Sequence, residues 1–391
     1  MRLLWVLYSR VLDSRSHLSG SERIERLSYL SKEGVQIFLL AADFQKRQYE
    51  KEKNLHLVSI PLKYIPIVSP VLYGLALFFF LPFYILKIRP DFIILDPTTT
   101  PSLIWKPFLS KLVHFKVVLD IRSTPVSTIG RRRMQTYFNL AIWIAKTMFD
   151  GMTIVTPMMK EEICRIFALR SDWVAVLPNG ISDDFLESFK KKRHASSLRE
   201  KLGLSDKFVI IYHGSFRPNG GLLESIEAVK LIKNDHPDII LLLLGATYPQ
   251  FLSVLKRTIE TNGVQNNVIL HEPVDFHSVP DYISMSDVGL VPLPNIPIWR
   301  YQQPLKLLEY MAMGKTIIVT DSPAHRSVVG ENNNVVYVSN LNPNELAKAM
   351  IYAYKNRDKL EDWGRVGQQV VAEKYVWKRV NEDFISYLMR I

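Results

Sequence analysis

The segment 299–321 (WRYQQPLKLLEYMAMGKTIIVTD) constrains the fold more than any other part of this sequence. Pro304 suits the first turn of a helix, and Gly314 suits the left-handed residue that ends one. Between them apolar residues recur at helical spacing, and the β-branched run Thr316–Thr320 then predicts a buried parallel strand. A helix followed at once by such a strand is typical of doubly wound α/β domains.

The same segment predicts a nucleotide site. The free N–H groups and the dipole at the N-terminus of a helix favour phosphate. Glu309 lies one turn further along, where its carboxylate would accept hydrogen bonds from the hydroxyls of a ribose. The plainer alternative is an ordinary α/β helix whose charged side chain points to solvent.

Composition limits the architecture and the partners. A chain of 391 residues is too long for one compact core and fits two domains. The single cysteine, Cys164, excludes an internal disulfide framework and fits a reducing compartment. The spacing of cysteines and histidines does not predict a metal site. The net charge of +11 favours an anionic partner, which could be a membrane surface, a nucleic acid or a phosphorylated substrate. Nucleic acid is the least favoured because no motif that binds it is present.

Strand and helix patterns alternate along the whole chain and predict two α/β halves. The segment 186–207 is charged and polar, and we place the connection between the domains there. The predicted domains are 1–185 and 186–374, and a C-terminal helix at about 375–391 is expected to pack back on the first domain. The N-terminus has the pattern of a short strand and not that of a signal peptide.

Two basic and apolar stretches in the first half suggest contact with a membrane. No charged residue lies between Lys63 and Lys87, and this apolar run allows three structures. They are a membrane span, a helix buried in the first domain, and a helix at the bilayer interface assisted by Lys63, Lys87 and Arg89. The arginines at 131–133 precede a second apolar run and are a further candidate for contact with anionic lipid.

The segment PLKLLEYMAMGKTIIVTD closely resembles the nucleotide-sugar signature of retaining glycosyltransferases with the GT-B fold, the group-one or family-four class. PNGI at 178–181 resembles the element that ends the first domain of that family. The resemblance implies two Rossmann-like, doubly wound parallel-sheet domains that face each other across a cleft. It also implies transfer with retention of configuration by front-side attack, without a metal or any other cofactor.

The resemblance also implies where the substrates bind. The donor would lie against the second domain, and the acceptor would enter from the first, where only Gly20 carries over from the glycine-rich loop of the family. The implied donor-binding residues are Gly214, Ser215, Arg217, Gly220, Pro273, Val274, Tyr301, Leu305, Leu307 and Glu309.

The chain departs from the family pattern at three positions. Tyr301 stands where the family has the first of two glutamates. Ser215 and Gly220 stand where it often has an arginine and a lysine. Another cation must then neutralise the leaving diphosphate, and Lys306 and Arg300 are the candidates. For Lys306 the alternative is an ordinary ion pair with Glu309 within the helix.

In the first domain the family often orients the acceptor with a histidine at a strand end. The corresponding region here offers Asp120 and Arg122, which are our catalytic candidates on that side. We expect His213, His271 and His325 to be structural.

These features predict a cytoplasmic enzyme, peripheral on the inner face of the cell membrane. It would move a sugar from a UDP- or GDP-sugar to a lipid-linked or polysaccharide acceptor, and it would not bind nucleic acid. One alternative is a sugar-nucleotide epimerase or hydrolase on the same fold. The other is a non-catalytic subunit of a glycan-assembly complex, which the departures at Ser215, Gly220 and Tyr301 make plausible.

Overall fold

The computed structural model describes residues 1–8, 21–43, 53–61, 68–125, 131–190, 195–330 and 335–391. Contacts divide the chain into an N-terminal unit, residues 1–179 with 377–391, and a C-terminal unit, residues 180–376. The division falls a few residues before the predicted one at 185/186. The reason is that Ile181 forms a β-bridge with Val376, and its N–H donates to the carbonyl of Tyr375 at 2.7 Å.

The N-terminal unit is built on a seven-stranded sheet in the order β3-β2-β1-β4-β5-β6-β7, and every pair of neighbouring strands is parallel. The strands are β1 (Arg2–Leu7), β2 (Gln36–Asp43), β3 (Leu55–Pro61), β4 (Phe92–Leu95), β5 (Lys116–Ile121), β6 (Gly151–Ile154) and β7 (Val174–Val176). The sequence analysis did not predict β3. This strand lies at the edge of the sheet, where a proline such as Pro61 is tolerated but a continuous apolar run is not required.

Helices connect these strands and cover the sheet. They are α1 (Ser21–Lys32), α2 (Val68–Ile88), α3 (Lys106–Leu109), α4 (Arg131–Met148) and α5 (Pro157–Phe167), and α15 (Trp377–Arg390) returns at the C-terminus. α4 begins at Arg131, so all three arginines that were predicted to precede the apolar run lie in the first turn of the helix. α15 lies within the range 375–391 predicted for a C-terminal helix, and its Phe384 and Tyr387 are buried in the core of the N-terminal unit.

The long helix α2 has two different faces. Tyr73, Leu77, Leu81 and Ile85 follow one another at helical spacing and are fully buried. The Tyr73 hydroxyl donates to the carbonyls of Leu7 in β1 and Leu40 in β2, and burial raises the pKa of this phenol, which therefore stays protonated. The opposite face is exposed although it is apolar. Among the residues whose side chains are described, no helix is both long and apolar enough to cross a membrane.

The C-terminal unit is built on a six-stranded parallel sheet in the order β10-β9-β8-β11-β12-β13. The strands are β8 (Phe208–Ser215), β9 (Ile239–Ala246), β10 (Val268–His271), β11 (Val288–Val291), β12 (Thr316–Thr320) and β13 (Val335–Val338). Two apolar clusters cover the two faces of this sheet, which explains why its central strands have continuous apolar sequences.

The helices of the C-terminal unit complete a doubly wound domain. They are α6 (Asp183–Lys190), α7 (Ala195–Lys201), α8 (Leu222–Ile232), α9 (Pro249–Thr261), α10 (Val279–Met285), α11 (Leu305–Ala312), α12 (Pro323–Val329), α13 (Pro343–Lys355) and α14 (Leu360–Lys374). The prediction of two Rossmann-like parallel-sheet domains is confirmed.

Candidate functional site

The site in the C-terminal unit lies where its parallel strands end. The carboxyl ends of parallel strands meet at one edge of a sheet, and ligands of doubly wound domains bind at that edge. β8 ends there at Ser215, and α11 begins after the loop that follows β11. The predicted donor-binding residues on these elements are therefore close to the same edge.

Helix α11 differs in detail from the prediction. Pro304 precedes the helix as its N-cap residue and is not in the first turn, whereas Gly314 has the expected left-handed conformation with a φ of 60°. The helix is buried on nearly every side, including at Tyr310. Glu309 is only 7% exposed, so the alternative in which it points to solvent is wrong.

Glu309 lies against the end of β8. Its Oε2 is 3.1 Å from Nε2 of His213, and both side chains are buried. The angle is not that of a hydrogen bond, so neither ring nitrogen of His213 has a hydrogen-bond partner among the described residues. A buried polar group without a partner is costly, and it is available to a ligand or to a reoriented Glu309. His213, which we expected to be structural, thus lies beside Glu309 at the end of β8.

Tyr310 fixes the position of α11 on the sheet. Its hydroxyl donates to the carbonyl of Ile211 at 2.9 Å and accepts from the N–H of His213 at 3.0 Å. Burial raises the pKa of Tyr310 well above its ordinary value, which keeps the phenol protonated for this role. The ring also meets the imidazole of His213 edge-on, with centroids 5.1 Å apart. The helix that carries Glu309 is thus bound to the strand that carries His213.

Lys306 points back over the same strand end. Its Nζ lies 3.8 Å from the centroid of the Tyr212 ring, a cation–π contact. It also lies 3.5 Å from the point where a Cβ on Gly214 would be. In the described part of the chain Lys306 forms no ion pair with Glu309, so the intrahelical pair is not formed. The ammonium of Lys306 therefore lies beside Gly214. In the family, an arginine often follows the glycine at this position.

The other candidate cations have different surroundings. Nε of Arg300 donates to Oδ1 of Asn295 at 3.0 Å, and Arg217 is exposed. The loop that holds Arg300 is close to the glycine loop after β8, because the indole N–H of Trp299 donates to the carbonyl of Asn219 at 2.5 Å. Sequence reasoning missed Trp299 and Tyr212, since only the folded chain shows what their rings contact.

The remaining predicted donor residues are placed as follows. Ser215 is the last residue of β8, Tyr301 follows Arg300 and is half-buried, and the N–H of Gly220 donates to the carbonyl of Arg217 at 2.9 Å. Pro273 is exposed and Val274 is half-buried in the loop after β10. Leu305 is half-buried at the start of α11. The side chain of Leu307 lies in the core, and its N–H already donates to the carbonyl of Pro304. Their contacts with a donor stay predictions.

Asp120 and Arg122 lie together at the end of β5 in the N-terminal unit. Nη1 of Arg122 is 3.7 Å from the Asp120 carboxylate, and the guanidinium donates to the carbonyls of Leu177 and Pro178 and to the side chain of Asn179. Arg122 thus holds the PNGI turn. Its catalytic role and that of Asp120 stay predictions, and Gly20 lies outside the described residues.

A large cavity of about 1040 Å³ opens at the same edge of the N-terminal sheet. It is lined by residues that follow β1, β4 and β5 and by one face each of α2 and α4. The lining residues are Tyr8, Gly74, Leu75, Phe78, Asp96, Pro97, Thr98, Thr99, Pro101, Ser102, Asp120, Arg122, Ser123, Thr124, Pro125, Arg133, Met134, Tyr137 and Phe138. Sequence analysis identified Asp120 and Arg122 but not the cavity, because its walls come from segments far apart in the chain.

Comparison with known families agrees with this arrangement. A model described as Glycosyltransferase Family 4 matches residues 25–185, and one described as Glycosyl transferases group 1 matches residues 195–370. The chain belongs to the group 1 glycosyltransferases. Among curated relatives, the putative teichuronic acid biosynthesis glycosyltransferase TuaH of Bacillus subtilis is 24% identical over 234 residues, which are 56% of this chain and 54% of TuaH. The chain spans about half to three fifths of the length of the curated relatives it matches.

Solved structures show the same fold at low sequence identity. Sucrose-phosphate synthase from Thermosynechococcus elongatus superimposes with a TM-score of 0.81 at 15% identity, covering 100% of this chain and 98% of that one. HepE from Anabaena, solved in complex with UDP and glucose, gives a TM-score of 0.75 at 14% identity and covers 100% of both chains. The chain thus has the GT-B fold.

Proposed function

We propose that this protein transfers a hexosyl unit from a UDP- or GDP-sugar to a lipid-linked or polysaccharide acceptor, with retention of anomeric configuration. The observation that supports this most directly is made at the sheet edge where β8 ends. There Lys306 lies beside Gly214, and Glu309 lies beside His213. A fixed cation for a diphosphate and a buried carboxylate for a ribose lie three residues apart on one helix. That UDP and glucose are bound in the structure of HepE also supports the choice of donor.

In the proposed reaction the protein positions the donor and stabilises the leaving group. The diphosphate would lie at the exit of β8, where Lys306 neutralises the negative charge that develops as the glycosidic bond to the sugar breaks. Glu309 would accept hydrogen bonds from the ribose hydroxyls, and the buried His213 would hold that carboxylate or contact the nucleotide itself. No protein nucleophile, metal or other cofactor is part of this proposal, because front-side attack needs only positioning and charge stabilisation.

Calorimetric titration with UDP, GDP and ADP tests the donor site. We expect micromolar binding of UDP or GDP, and we expect Glu309→Ala to abolish it. Glu260→Ala removes an exposed carboxylate from α9 and should bind like the unaltered protein. If none of the three nucleotides binds below about 1 mM, which corresponds to about −4 kcal/mol, the donor site is refuted. The non-catalytic subunit then becomes the better description.

We also propose that the enzyme works at the cytoplasmic face of the cell membrane as a peripheral protein. Large apolar side chains are exposed along α2, among them Phe79, which is 71% exposed. Ring contacts continue this face from Phe78 to Trp105 and Phe108. The exposed Lys87 and the neighbouring Arg89 lie at the end of α2. An apolar face with basic residues beside it has the chemistry that binds anionic bilayers.

Sedimentation with vesicles of phosphatidylglycerol and phosphatidylethanolamine tests this surface. The double variant Phe79→Ser/Phe83→Ser should lose most of the vesicle-bound protein, because both side chains are exposed on α2. Leu231→Ser is the control, since Leu231 is similarly exposed but lies in the C-terminal unit. Equal loss in the two variants, or no binding by the unaltered protein, would refute the membrane assignment.

A further inference from the structure

We propose that the cavity of the N-terminal unit binds a lipid-linked acceptor, with its hydrocarbon chain between α2 and α4 and its phosphate at Arg133. This inference rests on the proposed function and selects between the two acceptor classes left open there. The ligand would be an anionic amphiphile. Residues of α2 and α4 would contact its hydrocarbon chain, and Arg133 would contact its phosphate.

The walls of the cavity are suited to a hydrocarbon chain. α2 contributes Gly74, Leu75 and Phe78, and α4 contributes three further apolar or aromatic side chains, Met134, Tyr137 and Phe138. A volume of about 1040 Å³ is at the upper end of the range for small-molecule pockets, about 300–1,000 Å³. A polysaccharide would need polar partners along its length, and these two helix faces offer few. An isoprenoid or acyl chain needs only apolar area.

The apolar walls continue to the exposed face of α2. Leu75 lines the cavity and is 53% exposed. Phe78 lines the cavity as well, and its ring contacts that of Phe79, with centroids 5.3 Å apart and Phe79 largely exposed. A chain that leaves a bilayer along α2 would therefore stay in contact with apolar side chains until it reaches the interior of the cavity.

The charges that line the cavity place the phosphate at Arg133. Asp120 lies between Arg122 and Arg26, each 3.7 Å from one of its oxygens, and the guanidinium of Arg122 also donates to the carbonyls of the turn after β7. The carboxylate of Asp96 accepts from the N–H groups of Thr99 and Tyr8. Arg133 is exposed, lies on α4 one turn before Tyr137, and has no ion-pair partner among the described residues. It is the lining cation whose charge remains available to an anion.

Other side chains that line the cavity are polar, and they are either uncharged or acidic. Ser123 and Thr124 follow β5, and Asp96 follows β4. Hydroxyl groups and a carboxylate are the partners that a sugar hydroxyl needs. The cavity thus offers apolar, cationic and hydrogen-bonding surfaces, which match the chain, the phosphate and the sugar of a lipid-linked acceptor.

Calorimetric titration with farnesyl diphosphate, farnesol and inorganic diphosphate tests the assignment without any transfer reaction. We expect farnesyl diphosphate to bind at least about tenfold more tightly than either of the others, because only it contacts both the apolar walls and Arg133. Inorganic diphosphate that binds as tightly would assign the site to a free anion. Equally tight binding of farnesol would show that Arg133 does not contribute to binding. Either result overturns the proposal.

Gly74→Phe tests whether the chain enters the cavity. A Cβ on Gly74 would meet no atom within 4 Å, and replacing a glycine inside a helix does not by itself destabilise the fold. The phenyl ring would occupy the space between α2 and α4, so binding of farnesyl diphosphate should weaken about tenfold or more. Leu231→Ala is the control, because Leu231 is exposed in the C-terminal unit and does not line the cavity. Unchanged affinity in a folded Gly74→Phe variant would refute the proposal.

Adjacent arginines provide a matched pair for the phosphate contact. Arg133→Gln should weaken farnesyl diphosphate about tenfold and leave farnesol unchanged, as expected for one lost charge-assisted hydrogen bond. Arg132→Gln should change neither, because Arg132 is exposed in the same turn but does not line the cavity. Equal effects of the two substitutions would show a non-specific charge effect and overturn the assignment.

UDP and GDP titrations of Gly74→Phe separate this proposal from the proposed function. The nucleotide that binds the unaltered protein should bind this variant with the same affinity, since Gly74 and Glu309 lie in different units. If farnesyl diphosphate binds and no nucleotide does, the donor assignment fails and the lipid site stands. If a nucleotide binds and farnesyl diphosphate does not, the lipid site fails and the donor assignment stands.

Discussion

Lys306→Met is the substitution that most directly tests the donor site. Methionine keeps an apolar stem of similar length against Tyr212 but removes the ammonium that lies beside Gly214. Ser215 and Gly220 supply no charge, so the loss of Lys306 leaves the diphosphate without the cation nearest to the end of β8. We therefore expect a large effect on the diphosphate and a small effect on the nucleoside.

The expected magnitude follows from the contacts of Lys306. An ammonium has three N–H donors, so contact with the ring of Tyr212 leaves donors for phosphate oxygens. Removing one preorganised donor from a developing anion costs about 3 kcal/mol. A hydrogen bond to a charged group contributes about 1.5–3 kcal/mol to binding. The dissociation constant for UDP or GDP should thus rise by about 10- to 100-fold.

The assay compares a nucleoside diphosphate with its nucleoside by calorimetry. If UDP is the nucleotide that binds, Lys306→Met should weaken UDP and leave uridine within about twofold, whereas Glu309→Gln should weaken both because the ribose is common to them. Lys256→Met is the control, since Lys256 is an exposed cation on α9 and is not among the donor-binding residues. Equal losses for UDP and uridine in Lys306→Met, or a loss of UDP affinity below about threefold, would refute the role given to Lys306.

Three further predictions concern stability and can be checked by thermal unfolding. Burial lowers the pKa of His325, whose Nδ1 donates to the carbonyl of Thr320. Below about pH 6.5 the unfolded state then binds more protons than the folded state. The free energy of unfolding should therefore fall as the pH drops from 7 to 5.5, and it should fall less in His325→Asn. An equal fall in both proteins would contradict this. Gly289→Ala puts a Cβ 2.5 Å from the Tyr310 ring, and this overpacking should cost about 1–3 kcal/mol. Tyr310→Phe removes the hydroxyl that donates to Ile211 and should cost about 1–3 kcal/mol. An unchanged melting temperature would refute either one.

The two-domain α/β fold was predictable because buried parallel strands have continuous apolar sequences. β9 and β12 are examples, and each lies between covered faces of its sheet. β3 was missed because an edge strand needs no such run. The segment 63–87 left three alternatives open, and only the burial of Tyr73 and the exposure of Phe79 show that α2 has one face in the core and the other uncovered.

The donor site was predictable in part. Glu309 and Lys306 could be selected from their positions in the helix, since both depend on local spacing. The contacts that define their roles depend on tertiary structure and could not be predicted. His213 and Tyr212 lie about a hundred residues earlier in the sequence and reach α11 only because β8 and β11 are neighbours in the sheet. The cavity of the N-terminal unit was unpredictable for the same reason.

Lys306 and Glu309 lie on the same helix, α11, so a change that moves the helix should move both side chains. Side chains three residues apart on a helix are about 5–6 Å apart at their Cβ atoms, so Lys306 and Glu309 keep a fixed spacing. The hydroxyl of Tyr310 holds that helix to β8 through Ile211 and His213. Loosening this connection should displace both groups together. We therefore expect Tyr310→Phe to weaken both UDP and uridine, if UDP is the nucleotide that binds, and to weaken UDP by the larger factor because only UDP also contacts Lys306. Weakening of UDP alone would mean that Lys306 and Glu309 do not act as one rigid pair.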